Sequence, residues 1–358
     1  INRKITLKVQ FICAAGKHNN NDIGIGHLKR CLKLAAKFNQ KTHTSDFLIF
    51  GDDKRIASLI SDSAINRSEF LNFDSFFNSQ RLESLRFSKS DCTFVDISNS
   101  LFLSHDLSFS KLLKSLKKKT KSLILIDGLG EESYLNNSKN DIQYDFLLAP
   151  YFGAENYFKK EKNHLLGPDF FISDENLINV KKKIKDVACN ICITCGGSDP
   201  QNITYKILRS ISEMDSLKIK IKVIIGPNFY EEHTEKIRRL ISDKLDKVET
   251  INSPESIKNY IEWSDITIAT SGLTKYEILS MGTPSIIIPF DKKQFLLNKE
   301  SSETGAFITI KSDKISSNLG KELCSMIEDK ERRNNMSKKA SILIDGKGAD
   351  RIINHLGF

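Results

Sequence analysis

Residues 5–38 read ITLKVQFICAAGKHNNNDIGIGHLKRCLKLAAKF, an apolar run, a glycine-rich loop and an amphipathic run in that order. Lys8 and Gln10 interrupt the apolar run at alternate positions, as in a half-buried strand. After the loop, apolar residues recur at helical spacing: Leu28, Leu32, Ala35, Ala36 and Phe38. A strand that leads through a loop into a helix predicts the first unit of a parallel sheet covered by helices.

The same alternation of strand-like and helical segments continues along the chain. Further strands are predicted at 46–50, 92–96, 123–127 and 146–149, and a second set at 188–194, 219–225, 247–251, 266–269 and 285–289. Helices are predicted between the strands, including one at 54–62 and a last long one at 314–337. We therefore predict an α/β fold with two Rossmann-like domains that face a cleft, residues 1–168 and 169–358. The final segment, 346–358, fits a short helix that packs back on the first domain.

Composition excludes several classes of protein. No apolar run approaches the roughly 18–20 residues that span a bilayer, and the start of the sequence is too polar for a signal peptide. We therefore expect a cytoplasmic protein without a membrane partner, and a monomer. The net charge is +9, but the lysines are spread along the chain among acidic residues. This pattern favours a solvated surface over a nucleic-acid-binding one.

The seven cysteines are scattered, as expected for reduced thiols. Cys189, Cys192 and Cys195 have a spacing that admits a metal or iron–sulfur site. On a strand, however, positions three apart face opposite sides of the sheet, so the three sulfurs would not converge. We expect neither a metal nor a cofactor.

His27 lies where the glycine-rich loop, with Gly24 and Gly26, becomes the first turn of the predicted helix. Free backbone N–H groups and the positive end of the helix dipole attract an anion at such a point, and they favour a neutral histidine that can accept a proton. Arg30, one turn on, lies on nearly the same face. These residues predict chemistry on a phosphorylated substrate; the alternative is a tight turn in which His27 is only a cap.

Two loops in the second half also end a strand and begin a helix. TCGGSDP at 194–200 contains Gly197 and Ser198, and it is either a phosphate loop or an ordinary turn. ATSGLTKYE at 269–277 offers hydroxyl and N–H groups that are suited to a diphosphate, from Ser271, Gly272, Leu273 and Thr274.

Three further side chains are candidates. Glu277 lies about one turn into the helix, placed to accept hydrogen bonds from two ribose hydroxyls or only to complement the dipole. Gln294 lies at the mouth of the strand 285–289. Asp127, at the end of a strand, is either a cleft acid that orients substrate or water, or an acid that starts a turn.

Four blocks in order carry a resemblance to known proteins: GIGHLKR at 24–30, GGSDPQN at 196–202, SGLTKYE at 271–277, and GTPS at 282–285 on to Gln294. The second half resembles the nucleotide site of GT-B glycosyltransferases. More closely, the chain resembles the UDP-2,4-diacetamido-2,4,6-trideoxy-β-L-altropyranose hydrolases of pseudaminic acid synthesis, with the related spore-coat polysaccharide proteins. In place of that family's Asp-Gly pair and paired aspartates, this sequence has Ala14-Ala15-Gly16-Lys17 and Asp127-Gly128.

The resemblance implies a GT-B-like fold whose N-terminal domain holds the sugar and whose C-terminal domain binds the nucleotide diphosphate. It implies a hydrolase that removes UDP from C1 of a diacetamido-trideoxyhexose by inverting attack of water, without a metal, and it matches His27 to the catalytic histidine. Two alternatives remain: a GT-B glycosyltransferase with a UDP-sugar donor, and a nucleotide-sugar-binding protein whose catalysis has lapsed.

Overall fold

The computed structural model describes residues 6–18, 21–51, 56, 60, 65–85, 87–98, 100–174, 177, 182–214, 218–245 and 247–358. The chain divides into two compact units. One comprises Ile1–Ile172 with Lys347–Phe358, and the other comprises Ser173–Gly346. The predicted helix at 54–62 falls largely outside the described residues.

The strands of the described ranges are β1 (Lys8–Ala14), β2 (Gly16–His18), β3 (Asn21–Gly24), β4 (Thr44–Phe50), β5 (Arg67–Leu71), β6 (Ser90–Asp96), β7 (Thr120–Ile126), β8 (Phe146–Ala149), β9 (His164–Leu166), β10 (Asn190–Thr194), β11 (Lys220–Ile225), β12 (Val248–Asn252), β13 (Ile266–Thr270), β14 (Ser285–Ile288) and β15 (Ile308–Thr309).

The α-helices of the described ranges are α1 (Gly26–Gln40), α2 (Phe73–Phe77), α3 (Ser79–Ser84), α4 (Ser100–Leu103), α5 (Asp106–Lys117), α6 (Tyr134–Asn137), α7 (Ile203–Ser212), α8 (Glu231–Lys244), α9 (Lys258–Trp263), α10 (Thr274–Ser280), α11 (Lys292–Glu303), α12 (Ile315–Glu328), α13 (Lys330–Leu343) and α14 (Gly348–His355).

The first unit is built on a parallel sheet in the order β5-β4-β1-β6-β7-β8-β9. Its central strands are apolar on both faces because helices cover both sides of the sheet. Phe11 of β1 lies between Phe47 and Phe94 of the neighbouring strands, with ring centroids 4.9 and 5.1 Å away. These strands fix the positions of the loops at their carboxyl ends.

The second unit has its own parallel sheet, in the order β12-β11-β10-β13-β14-β15. Its core is rich in isoleucine from both the strands and the helices that cover them. β-Branched residues suit strands buried on both faces. Two parallel sheets flanked by helices confirm the predicted α/β class and the two Rossmann-like units.

The limits of the units differ from 1–168 and 169–358 in two respects. The first unit extends to Ile172, and the C-terminal segment 347–358 groups with it. A Cβ added at Gly348 would lie 2.1 Å from the Phe171 carbonyl oxygen, so the close approach of α14 to this backbone requires glycine. Ile352 and Ile353 of α14 are buried in the first unit's core.

The predicted helix 314–337 is two helices, α12 and α13. The break lies at Asp329, whose backbone is extended and whose Oδ1 accepts a hydrogen bond of 2.8 Å from Arg332 N. An aspartate in this position acts as the N-cap of a new helix, which ends the preceding one. The apolar spacing of 314–337 alone does not reveal this cap.

Candidate functional site

The first sheet has a topological switch point between β1 and β6. From β1 the chain moves to β4 and β5 on one side, and it then returns to β6 and continues to the other side. In open α/β sheets, ligands bind in the crevice that forms at the carboxyl ends of the strands at such a point. Cys13 of β1 pairs with Asp96, the last residue of β6, so Asp96 lies at this edge.

His27 and Asp96 form a hydrogen-bonded pair at this edge. His27 Nδ1 lies 2.7 Å from Asp96 Oδ1. The Asp96 side chain is 0% exposed, whereas the His27 side chain is 14% exposed. The carboxylate is therefore buried behind the imidazole, and the imidazole is the member of the pair that reaches solvent.

Arg30 completes the pairing from the next turn of α1. Its Nε donates to Asp96 Oδ2 and its Nη2 donates to Oδ1, both at 2.7 Å. Its Nη1 donates to the Tyr151 hydroxyl at 2.6 Å. Such a bidentate contact between a guanidinium group and a carboxylate is strong and directional. Arg30 thus fixes the orientation of the carboxylate that His27 contacts.

The charges of this cluster support one another. Burial alone favours the neutral form of Asp96, but the Arg30 guanidinium and His27 outweigh it and lower the pKa of Asp96 to about 2. Burial raises the pKa of the Tyr151 hydroxyl to about 12, so it stays protonated. Asp96 is consequently an anion at neutral pH, with Arg30 as its buried counter-charge.

This arrangement assigns the tautomer of His27. An ionised carboxylate can only accept, so Nδ1 carries the proton that it shares with Asp96. Arg30 Nη2 lies 3.3 Å from Nδ1, but its shorter contact with Asp96 is the hydrogen bond, because two N–H groups cannot bond to each other. Nε2 is then the nitrogen that accepts a proton. A base oriented by a carboxylate is the arrangement that activates a hydroxyl or water nucleophile.

His27 and Arg30 are predicted from the sequence, whereas Asp96 and Tyr151 are not. A signal existed for Asp96, since it is the one acid that ends the predicted strand 92–96. Tyr151 lies two residues past β8, likewise beyond a carboxyl end. Asp96 could not be paired with His27, nor Tyr151 with Arg30, before the strand order was known.

The glycines before His27 lie in a more regular structure than predicted. Gly24 ends β3, which pairs antiparallel with β2 to form a hairpin between β1 and α1. Gly26 is the first residue of α1 and Ile25 its N-cap. The helix thus begins one residue before His27, which confirms that His27 lies in the first turn.

The Asp127 carboxylate accepts several hydrogen bonds from nearby residues. Its Oδ1 accepts hydrogen bonds from Ser98 Oγ, Gly128 N and Tyr134 N, at 2.7, 2.9 and 2.9 Å. Its Oδ2 accepts from Ser133 Oγ at 2.8 Å and Leu135 N at 3.1 Å. Burial raises the pKa of Asp127 despite these donors. Both oxygens accept hydrogen bonds, and this geometry favours the interpretation as an acid that organises the loop 128–135 over that as an acid that orients substrate or water.

Replacing Asp127 with asparagine should therefore affect folding and leave the chemistry intact. An amide group would face backbone donors that need an acceptor, so we expect a loss of about 1–3 kcal/mol in the free energy of unfolding. The turnover number should stay within about twofold of wild type. Denaturant unfolding and steady-state kinetics check this. A large loss of rate at unchanged stability would return Asp127 to the substrate site.

The second sheet has a switch point between β10 and β13, and the predicted phosphate loops flank it. The loop 195–202 follows β10 and leads into α7, while 271–273 follows the adjacent β13. Gly197 and Ser198 are exposed. Asp199, buried below them, accepts hydrogen bonds from Ile203 N at 2.7 Å and Thr204 N at 2.8 Å, which ties the loop to the start of α7.

The structure brings together Ser271 and Gln294, which are distant in sequence. The Ser271 hydroxyl donates to Gln294 Oε1, and Phe290 N donates to the same oxygen at 3.2 Å. Because the side-chain Oε1 of Gln294 accepts both of these hydrogen bonds, the Nε2 group of the same amide is the part that can donate to a ligand. Asp291 caps α11 by accepting from Gln294 N at 2.7 Å. The loops after β13 and β14 thus form one connected surface.

The remaining candidates of this surface lie around Ser271. Gly272 and Leu273 are exposed, Thr274 begins α10, and Glu277 is half-buried in its first turn. Within this turn, Lys275 N donates to the Gly272 carbonyl oxygen at 3.3 Å and Tyr276 N donates to the Leu273 carbonyl oxygen at 3.0 Å. The exposed loop residues Gly272 and Leu273 therefore lead directly into a hydrogen-bonded first turn.

The cysteine run shows no features of a metal site. Cys192 lies within β10 and Cys195 just after it, both buried. Burial raises the pKa of the Cys192 thiol to about 12 and that of Cys195 above its usual range. Metal ligation requires thiolate. In the part of the chain that the structure describes, no three His, Cys, Asp or Glu side chains are grouped as metal ligands.

None of the helices in the described ranges has the length and apolar character needed to cross a membrane.

Comparison with known proteins supports the fold. The model of the glycosyltransferase family 28 C-terminal domain matches residues 190–355. The structure of UDP-GlcNAc 2-epimerase from Neisseria meningitidis bound to UDP-GlcNAc superposes with a TM-score of 0.64, at 15% identity, over 98% of this chain and 99% of that one. The chain has a GT-B fold.

Two relatives align with this chain over most of its length. An uncharacterized protein of Methanocaldococcus jannaschii is 26% identical over 276 residues, which are 75% of this chain and 53% of that protein. The spore coat polysaccharide biosynthesis protein SpsG of Bacillus subtilis is 24% identical over 251 residues, 68% of this chain and 71% of that protein. The chain thus spans about half the length of the first relative.

Proposed function

We propose that this protein is a nucleotide-sugar hydrolase that releases UDP from C1 of a UDP-diacetamido-trideoxyhexose, in the biosynthesis of a nonulosonic acid of the pseudaminic type. The observation that carries the proposal is the His27–Asp96 pair at the switch point of the first sheet. A base of this kind is suited to activate water as the nucleophile of a hydrolysis. Similarity to SpsG, a polysaccharide biosynthesis protein, supports a substrate drawn from sugar metabolism.

The proposed reaction proceeds by inversion. His27 Nε2 accepts a proton from water as the water oxygen bonds to C1, and the bond between C1 and the UDP oxygen breaks on the opposite face. Asp96 stabilises the imidazolium that forms and keeps the ring in place, as the carboxylate of a catalytic triad does. The products are the free sugar, with the hydroxyl derived from water, and UDP.

The second unit is proposed to bind the UDP moiety. Ser271, Gly272 and the first turn of α10 would hold the diphosphate, with Gln294 beside them and Glu277 on the ribose. Ser198 and Gly197 lie at the same switch point and extend this surface. The match of residues 190–355 to a glycosyltransferase C-terminal domain supports this division of labour.

The first unit is proposed to determine which sugar is accepted. Here the chain differs from the resembled family at 14–17 and at Asp127-Gly128. Residues 14–17 contain no acid, and both Asp127 oxygens accept hydrogen bonds from nearby groups, so we propose that neither position acts as the acid of the resembled family does. Because these differences lie in the unit proposed to hold the sugar, the substrate panel should include UDP-amino sugars besides the UDP-diacetamido-trideoxyhexose.

A GT-B glycosyltransferase is the second candidate, and the matching domain model favours it directly. In that case His27 would deprotonate an acceptor hydroxyl instead of water. The two candidates share the donor site, so they differ only in whether UDP release requires an acceptor.

The test is UDP release from a panel of UDP-amino sugars without any acceptor. A hydrolase turns over a member of the panel under these conditions. UDP release only after addition of an acceptor would establish a glycosyltransferase, and tight binding without release under either condition would indicate lapsed catalysis. Absence of UDP binding would contradict the nucleotide site altogether.

Glu277 offers a test of the ribose contact. Glu277→Ala should weaken UDP binding about tenfold, since one or two hydrogen bonds to a charged group are lost. The turnover number at saturating substrate should change little, because the contact is equally present in ground and transition states. Calorimetric titration with UDP measures the effect, with the exposed Glu300→Ala on α11 as control. Unchanged affinity would refute the contact.

A further inference from the structure

Two side-chain hydrogen bonds join the segment after β13 to helix α11. The outer one is the contact between Ser271 and Gln294. The inner one lies four residues further along each segment, where Lys275 Nζ donates to Asn298 Oδ1 at 2.6 Å. On α11 four residues are about one helical turn, so Gln294 and Asn298 lie on the same face of that helix.

The inner contact is deeply buried. Lys275 is 4% exposed and Asn298 is 1% exposed. Asn298 Nδ2 donates to the Gln294 carbonyl oxygen at 2.5 Å, which fixes the amide so that Oδ1 faces Lys275. Lys275 Nζ also lies 4.7 Å from the centroid of the Tyr276 ring. Gln294 is thus held through its side chain by Ser271 and through its backbone by the inner contact.

A buried lysine is costly for folding. Burial lowers the pKa of Lys275 to about 7, far below its usual value. Because the unfolded chain binds this proton more tightly, the group opposes folding at neutral pH, and the opposition is relieved as pH rises from the folded pKa towards the unfolded one. An apolar pair of similar volume would serve stability at least as well.

We propose that Lys275 and Asn298 are positioning residues that keep the Ser271 hydroxyl and the Gln294 amide in register for the diphosphate-linked part of the substrate. The proposal rests on the proposed function, since it assumes that this surface binds a nucleoside diphosphate. It explains why a costly buried lysine lies four residues after Ser271. Pre-organised polar groups bind a ligand more tightly because less ordering is needed on binding.

The test replaces the inner contact by apolar residues, Lys275→Met with Asn298→Leu, and titrates the variant with UDP. We expect a thermal midpoint equal to or above that of wild type and UDP affinity weakened about tenfold or more. The exposed Lys292→Met on α11 is the matched control and should bind as wild type does. Lys275→Met alone should weaken binding in the same direction.

A coupling measurement shows whether the effect acts through Gln294. Gln294→Ala should weaken UDP binding, and adding the double replacement to it should weaken binding little further, because both changes disturb one contact. Additive losses would overturn the positioning role, as would wild-type affinity in the double variant. A fall of the thermal midpoint by more than about 10 °C would show that the pair serves stability and would also overturn the inference.

The proposed function and this inference can fail separately. If wild-type protein does not bind UDP, the nucleotide site itself is wrong, and this appears in the first titration. If wild type and Gln294→Ala differ but the double variant matches wild type, only the role of Lys275 and Asn298 is wrong.

Discussion

Replacing His27 with alanine should lower the rate of UDP release by about 10²–10⁴-fold, the contribution typical of a positioned general base. UDP binding should stay within about threefold of wild type, since the proposed nucleotide contacts lie in other loops. The expectation follows from the geometry, because His27 is the partly exposed member of a pair whose other member is buried. Single-turnover kinetics and calorimetry measure the two quantities independently.

Lys29→Ala is the matched control for this variant. Lys29 is an exposed neighbour on the same helix, so its loss should leave both rate and affinity unchanged. Equal losses of binding and turnover in His27→Ala would contradict the assignment of a base. Full activity without His27 would remove the basis for the proposed hydrolysis.

Replacing Asp96 with asparagine should have the second large effect, because it removes the buried counter-charge of Arg30. Breaking a buried ion pair by removing one partner costs about 3–5 kcal/mol in the free energy of unfolding. The amide also cannot hold His27 in the required tautomer, so turnover should fall by about 10²-fold or more in the protein that remains folded. Denaturant unfolding and kinetics at low denaturant measure both.

The pH dependence of the free energy of unfolding is a second test of the buried ion pair between Asp96 and Arg30. The pKa of Asp96 is lowered to about 2 in the folded protein, below its unfolded value of 3.8. Its contribution is therefore complete above the unfolded pKa and is lost as pH falls through the folded pKa. Asp96→Asn should remove this part of the acid transition, whereas the exposed Asp141→Asn should not. A stability change below about 0.5 kcal/mol in Asp96→Asn would contradict the buried pair.

The sequence predicted the strands that carry the site better than it predicted their partners. β1, β6, β10, β13 and β14 are apolar runs bounded by turn residues, and each was placed within a few residues. The exposed β5, RSEFL, has no apolar pattern and pairs only because β4 offers an edge. The hairpin of β2 and β3 lies in a polar stretch and was read as a loop. The periodic pattern of apolar residues reflects burial, so it does not predict strands whose side chains are exposed.

The residues of the site likewise divide into those that the local sequence marks and those whose role depends on the fold. His27 was found because local chemistry marks it, with glycines before it and a helix after it. Asp96 was missed because its role depends on the adjacency of β1 and β6, which the order of strands along the chain does not reveal. For Asp127, the end of a strand admits two interpretations, an acid in the cleft and an acid that starts a turn. Only its five donors, which include Ser98 and Ser133, show that its oxygens are occupied.

The most direct test of the central claim is hydrolysis of UDP-amino sugars in ¹⁸O-labelled water without an acceptor, with mass analysis of both products. If water attacks C1, the free sugar carries one ¹⁸O atom at the anomeric position and the UDP is unlabelled. We expect His27→Ala to abolish this transfer of label. Label in the UDP would show that water attacks phosphorus rather than C1. That result would contradict the proposed reaction and the role of His27 in it.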